Sequence, residues 1–316
     1  MIRTPVCELL GIDVPIVQAG MGVFTDAELV AAASSAGALG SLGAGLRPLD
    51  DLKAQLRRIR ELTDRPFAVN FTLNSEPGRD SIAAVIAARP TVLSFALGDP
   101  GELVEVAHAS QILVMHQVTT VAQACQAIER GVDILIAQGS EAGGFGGDVS
   151  ALPLATQVID LAGSTPVLVA GGVADGRGLA AVLTLGAEGV NMGTRFLASL
   201  EAPVSAAWKQ LIVGASSEQT VKFDVWGAIF PVPARGYEVS PRTLRTAFTD
   251  DWKCRPAEAR LHSDELRSTI LGAIRHGRMH EVMPWAGETV GLVDQVLSTA
   301  EIVRQVADEA EALLSS

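Results

Sequence analysis

The sequence predicts an α/β chain folded as a closed (β/α)8 barrel with a small, mostly helical cap subdomain. Three observations predict it. Short apolar runs alternate with helical stretches eight times through the first two-thirds of the chain, the pattern of parallel strands covered by helices. Ala, Val, Leu and Gly dominate while aromatics make up 4%, as in strands buried under Ala-rich helices. The chain has 316 residues, within the reach of one barrel. Eight repeats favour closure over an open doubly wound sheet, which stays the lesser alternative.

The first strand is Pro15 to Gln18, ending in Ala19-Gly20-Met21-Gly22. Thr25-Asp26-Ala27-Glu28 reads as a capping box for a helix that stops at Gly37. A strand over Ala38 to Leu42 and a charged helix over Pro48 to Leu62 follow. The third unit is Phe67 to Phe71 with a helix near 80–88, and the fourth is Val92 to Phe95 with a helix from Pro100 to His108. Ile112 to Met115 form the fifth strand, ending at His116 and Gln117, and Thr120 with Gln123 opens a helix that stops at Gly131. The sixth strand, Val132 to Ala137, runs into the glycine-rich stretch Gln138 to Gly147. Pro166 to Ala170 ends in Gly171-Gly172, and Gly189 to Met192 ends in Gly193-Thr194.

After about Val213 the repeat breaks. Residues 1–213, rejoined by 285–316, are assigned to the barrel and 214–284 to the cap, where Phe223, Trp226, Phe230, Tyr237, Phe248 and Trp252 concentrate. One long helix is expected from Pro256 to Arg275. A glycine-containing loop spans Trp285 to Gly291, and an amphipathic helix from Val293 to Leu314 closes the chain.

A net charge of -12 disfavours nucleic acid and anionic membranes as partners. No apolar run reaches membrane-spanning length and no basic-then-apolar leader opens the chain, so a cytoplasmic protein is expected. A homodimer stays open. Cys7, Cys125 and Cys254 lie far apart, which gives neither a disulfide framework nor metal spacing. Cys125 is expected to be a buried small hydrophobe within its helix. No HxxxH or HExxH pairs the five histidines, so no metal site is expected.

The turns after strands seven and eight carry the strongest chemical signal. In such barrels these two loops commonly hold a phosphate on backbone amides. Gly171-Gly172 and Gly193-Thr194 expose amides and add a hydroxyl donor. Absence of a GxGxxG run argues against a dinucleotide fold. Gln18, Asn70, His116, Gln117 and Gln138 fall at predicted strand ends, and side-chain amides there can read a planar heterocycle by donating and accepting at once. Glu141 is the one carboxylate of the glycine loop and is expected to cap backbone amides of that loop rather than transfer protons.

These residues resemble the nitronate monooxygenases, formerly called 2-nitropropane dioxygenases. The resemblance rests on Gln18 to Gly22, Val69-Asn70-Phe71, Gln138 to Gly147, Ala170 to Gly172, Asn191 to Phe196 and the late loop from Trp285 to Leu292. It implies an FMN-containing TIM barrel that oxidises alkyl nitronates, a small-molecule substrate, with O2. FMN contacts would fall on Ala19, Gly20, Met21, Asn70, Gln138, Gly143, Gly171, Gly172, Asn191, Met192, Gly193 and Thr194. The substrate pocket would include Met21, Gly144 and Phe145.

One departure matters. Family members commonly carry a catalytic histidine where this chain has Phe145, a basic residue is frequent at Gly146, and glutamine is common at Asn191. A phenyl ring moves no proton, and losing a general base typically costs ~10²–10⁴ in rate. Three readings stay open: a substrate that arrives as the anion, His116 as a replacement base, or other flavin chemistry on a more apolar substrate that packs on Phe145. An enoyl-thioester or other NAD(P)H reductase on the same barrel, and a flavin-binding pseudoenzyme, are the alternative functions. An inosinate-dehydrogenase-like reaction would need a loop cysteine, and none lies between Gln138 and Leu152.

Overall fold

The computed structural model describes residues 2–74, 77–231 and 240–315. Tyr237 lies outside them. Its strands are β1 (Ile16–Gln18), β2 (Leu39–Gly43), β3 (Phe67–Thr72), β4 (Val92–Ala96), β5 (Leu113–Val118), β6 (Ile134–Gln138), β7 (Gly144–Gly146), β8 (Val167–Ala170), β9 (Gly189–Met192), β10 (Thr220–Lys222) and β11 (Ser240–Leu244). Eight of them close a parallel barrel in the order β1-β2-β3-β4-β5-β6-β8-β9, a TIM barrel. Closure is made by β1 against β9, with Ile16 opposite Val190 and Val17 opposite Asn191.

Side chains alternate between two cores, as the pleat requires. Val17, Leu39, Ala68, Met115, Ile136 and Leu168 fill the barrel interior. Ile16, Val69, Val114, Leu135, Val169 and Val190 face the surrounding helices. A short helix over Pro5–Leu10, not expected from the sequence, sends Val6, Cys7 and Leu10 into the interior cluster.

Several local expectations need correction. Thr25 does not cap the first barrel helix, Ala27–Ser35. Asp26 does, accepting from the Leu29 amide at 3.0 Å, because the Thr25 hydroxyl is engaged by the Gly22 carbonyl and the Gly43 amide. Thr120 does cap its helix, accepting from the Gln123 amide. Cys125 is exposed, since Ala124 and Ala127 form the buried face of that helix. The expected long cap helix is two, Pro256–Leu261 and Ser263–Arg275, broken at His262. The closing helix is shorter than expected, Thr299–Leu314, and starts at a Ser298–Glu301 capping box.

The segment after the barrel packs into a second cluster, where Phe223, Trp226, Ile270 and Met283 meet Phe24, Leu197 and Trp208 from the barrel part. Besides helices it holds β10 and β11, which pair with β7 from the barrel's glycine loop into an antiparallel sheet of order β10-β11-β7. Phe145 of β7 lies opposite Pro241. The glycine loop is therefore half barrel and half cap. Arg242 of β11 fixes this junction: it donates to the Ser140 carbonyl at 3.0 Å and pairs with Glu288 at 3.0 Å.

Candidate active site

A cavity opens at the C-terminal ends of the barrel strands, beneath the cap. Ala19, Gly20, Met21, Asn70, Gln138, Gly143, Gly144, Phe145, Gly171, Gly172, Asn191, Met192, Gly193 and Thr194 all line it. Each stands at or just beyond the end of a barrel strand, and closure of the sheet brings these ends together.

The end nearest β8 and β9 is made of backbone. Gly171 and Gly172 have φ of 92° and 74°, a left-handed run that residues with a Cβ rarely adopt. Thr194 opens the helical turn Thr194–Leu197. Its hydroxyl oxygen accepts from the Gly287 amide at 2.9 Å, which leaves the hydroxyl hydrogen to donate. Successive amides and a hydroxyl at two adjoining turns form a cradle for an anion such as phosphate.

The middle of the cavity carries the amides. Gln117 Nε2 donates to Gln138 Oε1 at 2.8 Å, so Gln138 keeps its own Nε2 as a donor. Asn70 Nδ2 reaches the Gly20 carbonyl at 3.4 Å, which leaves its Oδ1 as an acceptor. Gln18, expected at the mouth, is instead fully buried and ties β1 to β2 through the Ser41 amide at 3.1 Å.

The far end is aromatic. Phe145 packs edge-on against Trp226 at 5.1 Å and Trp285 at 5.3 Å, and Phe24 meets Trp285 at 5.4 Å. Such pairs add about 0.5–1.5 kcal/mol each beyond burial. Trp285 reaches the cavity because its loop lies directly on the glycine loop. A Cβ on Gly143 would stand 2.6 Å from the Gly287 amide nitrogen and 2.7 Å from the Ala286 carbonyl carbon, so only glycine admits that approach. The sequence reading placed Trp285 in a late loop but not in the pocket. It also missed Phe24, Leu46, Thr72 and Leu97, which line the cavity without any motif to mark them.

His116 does not belong to the site. Its neighbours on β5, Met115 and Gln117, point into the barrel interior and the cavity, so strand alternation turns His116 outward toward the helix layer. It is 1% exposed, and its Nδ1 has no partner among the described residues. Burial pushes its pKa down to about 4, against a hydrogen bond with the Phe95 backbone and the Asp99 carboxylate, which act upward. A neutral imidazole facing away from the cavity cannot serve as its base.

Among the described residues lining the cavity, Glu141 is the one titratable side chain. Both of its carboxylate oxygens accept from the Ala151 amide at 3.1 Å, at the start of the helix Ala151–Ala162. The carboxylate is structural, as expected, but the amide it caps belongs to the helix after the glycine loop and not to the loop itself.

A barrel cavity with exposed backbone amides at one end, side-chain amides in the middle and an apolar wall has the make-up of an enzyme site. The comparisons with known proteins name its family. The nitronate monooxygenase family profile matches residues 3–84 and 74–309. A probable nitronate monooxygenase of Staphylococcus saprophyticus is 32% identical over 99% of both chains. A (3aS,4S,5R,7aS)-5-hydroxy-7a-methyl-1-oxo-octahydro-1H-indene-4-carboxyl-CoA dehydrogenase of Mycobacterium tuberculosis is 38% identical over 70% of this chain, and the match spans 62% of that relative. Among solved structures, FabK from Thermotoga maritima superposes with a TM-score of 0.91 at 33% identity, covering 100% of this chain and 98% of that one. Nitroalkane oxidase from Streptomyces ansochromogenes gives 0.81 at 26%, covering 98% and 99%. The chain belongs to the nitronate monooxygenase family and is an oxidoreductase.

Proposed function

We propose that this protein is an FMN-dependent oxidoreductase that oxidises alkyl nitronates with O2. The observation that carries this reading is the contrast between a complete cradle and a wall without an acid or base. Gly171, Gly172, Gly193 and Thr194 fit the FMN phosphate, with Ala19, Gly20, Met21, Asn70, Gln138, Gly143, Asn191 and Met192 as the remaining contacts. Gln138 Nε2 and Asn70 Oδ1 supply a donor and an acceptor to a ring that needs both. When bound, the flavin supplies the redox chemistry.

A nitronate is already the conjugate base of its nitroalkane, so its oxidation asks no side chain to remove a proton. Phe145 and Trp285, backed by Trp226, exclude water on one side and offer an apolar surface to the alkyl group. The reductase alternative is favoured by that same apolar wall, which also suits an acyl chain. Reducing an enoyl thioester, however, places a proton on the α-carbon, and the described wall offers no titratable group beyond the engaged Glu141.

The purified protein should be yellow, release FMN on denaturation and consume O2 with propyl-2-nitronate. A colourless protein that cannot be reconstituted with FMN would overturn the cofactor. Rapid bleaching by NAD(P)H without nitronate-dependent O2 uptake would move the assignment to the reductase. Bound FMN with neither activity would mark a pseudoenzyme.

A further inference from the structure

Two leucines of the cavity hold a backbone conformation that leucine rarely adopts. Leu46 and Leu97 both have φ of 63°, the left-handed region in which Cβ crowds the following carbonyl. They follow β2 and β4 respectively, and both line the cavity. Strain of this kind persists where packing or a ligand repays it. Packing accounts for Leu97, which is 4% exposed, but not for Leu46, which is 72% exposed. Glycine or asparagine would occupy the Leu46 turn with less strain, and an isobutyl group in water gains nothing there.

The exposure gradient orders the two along the cavity, Leu97 inside and Leu46 at the solvent edge. Phe145 and Trp285 supply the aromatic part of the wall, and Met21 adds a flexible thioether. The cavity thus has an aliphatic lip as well as an aromatic surface, and among the described lining residues the one charged side chain is Glu141, engaged by the Ala151 amide. An unbranched apolar chain is the ligand chemistry that would cover Leu46.

We propose that Leu46 and Leu97 form a subsite for an extended, unbranched alkyl chain attached to the reacting group, so that the protein selects long-chain over short-chain substrates. The identity of the reacting group rests on the nitronate reading above. The subsite itself does not.

The test uses the purified holoenzyme and two readouts. The first is tryptophan fluorescence during titration with propanoate and octanoate, unreactive probes that report chain binding near Trp226 and Trp285. The second is O2 uptake with the nitronates of nitroethane and 1-nitrooctane. Covering a methylene is worth about fourfold in affinity, so octanoate should bind at least tenfold more tightly than propanoate. The octyl-to-ethyl ratio of kcat/KM should exceed about ten. Leu46→Gly removes the side chain and relieves the backbone together, so its melting temperature should not fall, and both ratios should drop about tenfold. Leu46→Asn, which tolerates the same φ, should behave alike. Equal binding of the two carboxylates, or a Leu46→Gly loss that is the same for long and short chains, overturns the subsite. Loss of octanoate preference in Leu46→Gly without turnover of any nitronate would uphold the subsite and refute the nitronate reading instead.

Discussion

The two ends of the cavity are built by different rules. At the β8–β9 end the lining is backbone: Gly171 and Gly172 in left-handed conformations, then Gly193 and Thr194 one strand further on. At the cap end the lining is side chains from separated stretches of sequence: Phe24, Leu46, Phe145 and Trp285, with Trp226 behind them. The first end depends on conformation, which a few residues in a row can specify. The second depends on which rings happen to meet once the late loop lies on the glycine loop. The glycine end therefore tolerates little change, whereas the aromatic end can change its side chains without disturbing the barrel.

Moving a base into the aromatic end should produce the largest effect. Phe145→His places an imidazole where the wall has none, and O2 uptake with neutral nitroalkanes should rise on the order of 10²-fold. No gain would show that base catalysis is not what the wall lacks. At the opposite end, Gly171→Val forces a β-branched residue to a φ of 92° and should weaken FMN binding about 10- to 100-fold. The flavin-to-protein ratio after gel filtration reads this directly, and full retention would remove Gly171 from the cradle. Trp285→Ala removes the ring that contacts Phe24, Phe145 and Trp226. It should raise KM for apolar nitronates roughly tenfold more than it lowers kcat and destabilise the fold by about 2 kcal/mol, less than a fully buried tryptophan would cost. An effect confined to kcat would mean that Trp285 does not contact the substrate.

The smallest effect on activity is expected outside the cavity. His116→Leu should change kcat/KM less than about twofold and act on stability instead. The His116 pKa of about 4 in the fold lies below its ordinary ~6.5. The unfolded chain therefore binds more protons between those values. This contribution to stability is complete above about pH 6.5, declines as pH falls, and levels off below about pH 4. Its full size is about 3 kcal/mol. Urea unfolding from pH 7 to 4 should show a shallower loss in His116→Leu than in the wild type, and parallel curves would contradict the assignment.

What could be read from the sequence follows the same division. The barrel was legible because strand and helix periods alternate eight times. The turns after β8 and β9 were legible because each is a contiguous glycine-containing run at a strand end. His116 misled because being at the end of a strand does not say which side of the sheet a residue faces, and one step along β5 separates Gln117 in the cavity from His116 outside it. Trp285 and Leu46 were illegible as site residues because their positions depend on tertiary contacts. Trp285 needs the close approach of Gly287 to Gly143, and Leu46 sits in a turn beside Gly45 in which the leucine, not the glycine, takes the left-handed conformation. The β7–β11 pairing was hidden for a related reason: a three-residue strand of two glycines and a phenylalanine has no periodicity to detect.

On the function proposed here, the cavity oxidises a substrate that is already an anion, because its described wall holds no free base. The most direct measurement compares O2 uptake by the FMN-loaded protein with 2-nitropropane freshly dissolved as the neutral acid and with propyl-2-nitronate, at one pH and before the two forms interconvert. The account predicts turnover of the nitronate and at least about 100-fold less of the neutral compound. Comparable rates on both forms would contradict it, since they would require a base that the described wall does not contain.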